Sequence, residues 1–198
     1  MNVINKLKDR FYKYTQEQRR AIIMSGIFFL ICTALGVLLH FAFDLVGGVK
    51  WLAPFVPVNE SVWEHLKLSF TPYIIILFPI EYYIYGRKVN RFIVGRLIGV
   101  LIAMSFSVME FYTIQGAFGE PAAFVNIIIY CIATLLSYLV PLILWFRAER
   151  DSSHETKTIS LIALGAIFAL FVIFTFLPPT LPLFLDPQGA GYGYYMFM

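Results

Sequence analysis

Lysine and arginine fall into three clusters along this chain, with long apolar runs between them. Lys6, Lys8, Arg10, Lys13, Arg19 and Arg20 precede the first run; Arg87, Lys88, Arg91 and Arg96 stand between the second and third; Arg147, Arg150 and Lys157 stand between the fourth and fifth. The connections on the other side hold only Lys50 and Lys67. Short loops rich in Lys and Arg stay on the cytoplasmic side of a membrane, which explains the alternation. The chain is therefore expected to be all-α: a polytopic membrane protein of five transmembrane helices, with its N-terminus cytoplasmic and its C-terminus extracytoplasmic.

The runs cover residues 21–43, 66–85, 92–114, 124–146 and 159–177, each near the ~20 residues that cross ~30 Å of hydrocarbon. They must be helices, because backbone groups facing lipid find no water to bond. Hydrophobic residues make up 60% of the 198 and charged ones 14%, against about 45–50% and about 25% in an ordinary soluble domain. A single integral membrane domain follows. It comprises an amphipathic cytoplasmic arm over 1–20, with Leu7, Phe11 and Tyr14 on one helical face, a bundle over 21–177, and an extracytoplasmic tail over 178–198. The first run lacks a small-residue cleavage site and follows a long polar arm, so it reads as a retained span. The basic loops suit anionic lipid, so a pI near 8.8 does not signal nucleic acid. Phosphate loops, dinucleotide fingerprints and nucleic-acid modules are absent from the sequence. Cys32 and Cys131 lie inside apolar runs and read as small buried hydrophobes.

The orientation puts nearly every unusual polar residue on the outer side. The densest cluster is the string from Val58 to Lys67, which holds Asn59, Glu60, Ser61, Glu64 and His65. Ser61 followed three residues later by Glu64 is a capping-box pattern, so a helix is expected to start there and continue into the second span. Glu64, Lys67 and Thr71 then share one face, and Trp63 suits an interfacial anchor. His40 and Asp44, four residues apart, share a face at the outer end of the first span. Glu110 lies about one turn inside the outer end of the third span, and Asn126 about one turn into the fourth. Asp186 follows in the tail. An ionisable group at membrane depth costs roughly 2.5–3.5 kcal/mol, so each should face a partner or a cavity. Glu110 has no opposite charge nearby in sequence, and its expected partners are Lys67 or a protonated His40. Glu81, near the inner end of the second span, reads as an interfacial ion pair with Arg87 or Lys88.

Pro178-Pro179 ends the fifth helix. The proline-broken apolar stretch and Gly-rich turn that follow are expected to fold back over the outer helix ends and cover the polar cluster. The string Pro57-Val58-Asn59-Glu60-Ser61-Val62-Trp63-Glu64-His65-Leu66-Lys67-Leu68, with Phe174-Thr175-Phe176-Leu177-Pro178-Pro179, Pro182-Leu183-Phe184 and Asp186-Pro187, resembles a group of small bacterial membrane proteins classed as a domain of unknown function. The resemblance covers essentially the whole chain. It implies a membrane fold and a multi-pass place in a bacterial plasma membrane, and it carries no activity with it.

Two kinds of site are legible in the outer cluster. Glu60, Glu64, His65, Lys67, Glu110, Asn126 and Asp186 are candidates to bind a small molecule or lipid ligand. His40, Asp44, Glu64 and His65 offer N and O ligands for a divalent metal such as zinc or manganese. A catalytic metal would hold three of them and a water, leaving a carboxylate as base. No HExxH spacing is present, so the ligands would have to converge from separate helices. Ser61 is better explained as a cap than as a nucleophile. The expected partners are the lipid bilayer and a small-molecule or lipid ligand, with no nucleic acid. Three function classes remain. They are a binding or transport-like protein with an outward-facing polar pocket, a membrane-embedded hydrolase of lipid or envelope substrates using carboxylate and His with or without a metal, and a structural or accessory subunit. In the last, the polar groups merely fix packing through hydrogen bonds of about 0.6 kcal/mol each. The first is favoured, because seven ionisable groups (His40, Asp44, Glu60, Glu64, His65, Glu110 and Asp186) exceed what packing needs and no catalytic spacing is present.

Overall fold

The computed structural model describes residues 14–119, 123–189 and 191–194. Helix α1, Gln16–Leu45, opens with a full capping box: the Thr15 hydroxyl accepts from the Gln18 amide at 3.2 Å, and the Gln18 side chain accepts from the Thr15 amide at 3.0 Å. Residues 16–20 of the arm expected over 1–20 belong to this long helix, and its first 13 residues lie outside those described. The buried side of α1 is Ala21, Ser25, Phe28, Cys32, Gly36 and Phe43, a single stripe at helical spacing. Leu30 and Leu38 on the other side are about two-thirds exposed, which suits lipid rather than water.

The second run behaves differently from the others. Helix α2, Val62–Phe70, passes into a π-helical segment, Thr71–Leu77, and then into α3, Phe78–Ile84, with no break between them. Pro72 supplies the reason for the wide turn: a proline inside an α-helix lacks the N–H for its bond and clashes with the carbonyl four residues back, and a π turn relieves both. This segment is the most buried in the fold. Seven of the nine α2 residues are buried, and Thr71, Pro72, Tyr73, Ile74 and Leu77 follow them inside. It touches α1, α4 and α5, and its Trp63 and Phe70 rings lie against Phe171 of α6 at 5.0 and 5.3 Å.

Helices α4, Phe92–Phe118, α5, Ala123–Arg147, and α6, His154–Phe176, complete the bundle. Among the described residues, α1, α4, α5 and α6 are each long and apolar enough to cross a membrane. The α4–α5 pair packs most extensively, and glycines allow it. A Cβ on Gly95 would meet Trp145 Nε1 at 2.3 Å, and one on Gly99 would meet the Ser137 carbonyl at 2.5 Å. Small residues four apart are the usual means of close helix approach in lipid, where apolar burial drives nothing.

After α6 the chain turns at Pro178-Pro179 into a 3-10 turn, Pro182–Phe184, then a short antiparallel hairpin of β1, Leu185–Asp186, with β2, Gly191–Tyr192. The buried Phe184 ring packs on Trp63 at 5.0 Å and on Phe174 at 5.3 Å. Tyr194 donates to the Gly48 carbonyl at 3.3 Å, so the tail reaches the connection after α1.

Candidate functional site

The site grows from the entry into α2. Ser61 caps the helix, accepting from the Glu64 amide at 3.3 Å. The second half of the expected capping box does not form. The Ser61 amide donates instead to Asn59 Oδ1 at 2.9 Å, which leaves the Glu64 carboxylate free to turn inward. Asn59 Nδ2 donates to the Gly193 carbonyl at 3.2 Å, so one side chain shapes the turn and pins the tail.

Glu64 and Lys67 are 1% and 0% exposed. Glu64 Oε2 accepts from Lys67 Nζ at 2.5 Å and from the Val58 amide at 2.9 Å. Lys67 also donates to Thr175 Oγ1 at 2.6 Å and to the Ala53 carbonyl at 2.9 Å, with the Val56 carbonyl at 3.4 Å. Thr175 in turn donates to the Phe171 carbonyl at 2.7 Å. An ammonium has three protons, and here all are engaged. This knot joins the 53–58 connection, α2 and α6, and each of its three side chains has partners within it. It is chemically saturated, a clamp rather than a surface that receives a ligand.

A second group stands beside it and is open. Glu60 is within 3.9 Å of His40 Nε2 and 3.4 Å of His65 Nε2, and the two imidazole rings are 5.2 Å apart. His65 Nδ1 lies 2.9 Å from the Ser61 carbonyl. A carbonyl only accepts, so Nδ1 carries the proton and Nε2 faces Glu60. The His65 ring holds the Glu60 carboxyl below its ordinary value, against partial burial, which raises it. Among the described residues His40, Glu60 and His65 form the one group of metal-ligating side chains close enough to share an ion, their ligand atoms lying within 4.8 Å of one another. Glu60 and His65 also line a cavity of about 440 Å³ whose other polar contributors include Ser69, Ser107, Gln115, Asn126 and Gln188, with an apolar wall that includes Leu66, Leu68, Phe111 and Ile129.

The remaining sequence candidates scatter. Asp44 is exposed and stands outside the His40–Glu60–His65 group, as does Glu64. Lys67 and Glu64 pair with each other, so neither points into the cavity as a ligand group. Glu110 is half-buried and pairs with neither Lys67 nor His40, whose partners are Glu64 and Glu60; it is not part of the cavity wall. Asn126 does line the cavity. Asp186 is buried and accepts from the Gln188 amide at 2.9 Å, shaping the turn that carries Pro187 and Gln188 to the cavity.

Sequence reasoning missed a third polar centre. Glu81 does not pair with Arg87 or Lys88. It is fully buried, ion-paired with Arg96 and hydrogen-bonded by Tyr85 at 2.7 Å and Tyr138 at 2.8 Å. Arg87 instead covers the Tyr83 ring, and Lys88 lies 3.9 Å from Glu17. Arg96 is not a loop cation either: it is 0% exposed in α4, with its guanidinium 4.8–5.3 Å from the ring centres of Tyr73, Phe92, Tyr138 and Trp145. The signal was present: Glu81 falls within the second run, and Arg96, grouped with the loop cations, lies four residues into the third, where a charge demands a partner on another helix.

The chain belongs to the family of unknown function DUF6512, whose model matches residues 10–194. No curated protein and no solved structure matches it.

Proposed function

We propose that this member of an uncharacterised family is a five-span membrane protein whose cavity faces outward and binds a small polar molecule or lipid headgroup. Four helices are apolar and long enough to span. The fifth crossing is the run over 62–84, helical throughout and divided only by its π segment. The basic clusters support a cytoplasmic N-terminus and an outer tail, with the Glu60 end of the bundle at the outer face.

The cavity itself carries the reading. Its volume is about 440 Å³, within the roughly 300–1,000 Å³ of small-molecule sites, and it pairs a few convergent polar groups with an apolar wall. That mixture suits a hydrogen-bonding headgroup with an apolar shoulder. An accessory subunit whose polar residues only fix packing would fill such a volume with side chains instead of lining it. Transport would require the cavity to connect to the cytoplasmic side. There the Glu81–Arg96 centre and its four rings are fully packed, which supports binding without passage.

The test is native mass spectrometry of the protein released from detergent. Wild type should retain a non-protein mass, either a lipid or a polar metabolite, and Asn126→Leu with Gln115→Leu should lose it while remaining folded. Equal retention by wild type and the double variant would remove the cavity from the account.

A further inference from the structure

We infer that His40, Glu60 and His65 hold a divalent metal ion, zinc by preference, with an open coordination position toward the cavity. The three ligands come from α1, the connection after it and α2, so only the tertiary fold assembles them. Zinc bonds to imidazole nitrogen and carboxylate oxygen are about 2.0–2.2 Å, which places tetrahedral donor atoms about 3.3–3.5 Å apart. His65 Nε2 and Glu60 Oε2 are already 3.4 Å apart, and His40 Nε2 stands 3.9 Å from Glu60 Oε1. The three ligand atoms lie within 4.8 Å of one another, so an ion would draw them inward, and no hydrogen bond to His40 Nδ1 among the described residues ties that ring in place.

Proton placement points the same way. His65 Nδ1 is committed to the Ser61 carbonyl, and a metal-binding histidine is commonly oriented by such a bond from its other nitrogen. In the neutral ring its Nε2 lone pair then faces a carboxylate. Two electron-rich atoms at that distance need a cation between them, either a proton or a metal. Lys67 does not supply it, because its ammonium is engaged by Glu64, Thr175 and two carbonyls. Two histidines and one carboxylate leave the fourth position of a tetrahedral ion open, the arrangement of exchangeable rather than closed zinc sites. Because Glu60 and His65 also wall the cavity, that position faces it and can take a water or an anionic oxygen of a bound molecule.

This goes beyond the cavity reading and stands without it: a protein that holds zinc but no organic ligand would keep this inference and remove that one. The experiment is elemental analysis of full-length protein purified through a tag without histidine, followed by zinc titration after chelation. Wild type should hold one zinc per chain, and His65→Ala and Glu60→Gln should each weaken zinc binding by at least about 10-fold. Asp44→Asn, exposed and outside the group, should bind as wild type does. Glu60 is half-exposed, so Glu60→Gln keeps the test informative if His65→Ala fails to fold. Absence of zinc and manganese binding by wild type, or stoichiometric binding that survives both substitutions, overturns the site and leaves a protonated His65 beside Glu60.

Discussion

Lys67 Nζ lies 2.5 Å from Glu64 Oε2 where neither side chain reaches solvent. The two residues are three apart on α2, so the helix itself sets them side by side, and Thr175 of α6 closes the pair from across the bundle. Desolvating two charges opposes folding, and the pair persists because the Lys67 ammonium has further acceptors in Thr175 and two carbonyls and Glu64 Oε2 also accepts from the Val58 amide. Removing one partner would leave the other buried and uncompensated.

Glu64→Gln accordingly separates two roles. A capping residue tolerates Gln almost as well as Glu, whereas a buried ion pair broken on one side loses about 3–5 kcal/mol. Thermal unfolding in detergent should place Glu64→Gln well below Ser61→Ala, whose lost cap is worth about 0.5–2 kcal/mol. Changing Lys67→Met in the Glu64→Gln background should recover part of the loss. Wild-type stability in Glu64→Gln would show that the carboxylate matters only to the helix start.

Arg96→Met and Glu81→Gln should each destabilise by about 3–5 kcal/mol, because either leaves the other charge buried without its ion-pair partner. Arg96→Lys should not rescue, because a compact ammonium cannot stack among four aromatic rings as a planar guanidinium does. Trp145 lies 5.3 Å from the Arg96 guanidinium, so its fluorescence reports the change directly. A fully stable Arg96→Lys would mean that the rings contribute packing alone.

Acid should loosen the outer end through Glu60. Its folded-state carboxyl lies below the ordinary 4.5, so its contribution to stability is present above that value and is lost as pH falls through the lowered folded value. Melting temperature of chelated, metal-free protein measured from neutral pH downward should fall less steeply on the acid side for Glu60→Gln than for wild type. Parallel curves would assign the acid response to other carboxylates.

Orientation has its own check. A reporter fused after Met198 should be active only outside the cell, and one inserted at Ser152 only inside. The opposite result at either position would overturn five crossings and move the cavity to another face.

The apolar runs and the cation clusters determined the helical class and the boundaries of α4, α5 and α6 within a few residues, because hydrophobic length and loop charge act locally along the chain. Ser61 as a cap was legible for the same reason: its bond reaches only three residues ahead. Local signals also misled. Glu64 matched a capping box, yet Asn59 took the Ser61 amide and the carboxylate turned to Lys67. Arg96 counted as a loop cation although it sits fully buried among α4, α5 and the π segment. Partner choice was decided by tertiary structure alone. Glu81 with Arg96, Lys67 with Thr175, and His40 with Glu60 and His65 are brought together by crossings between helices. Sequence spacing fixes which face of a helix a side chain occupies, but not which other helix that face meets.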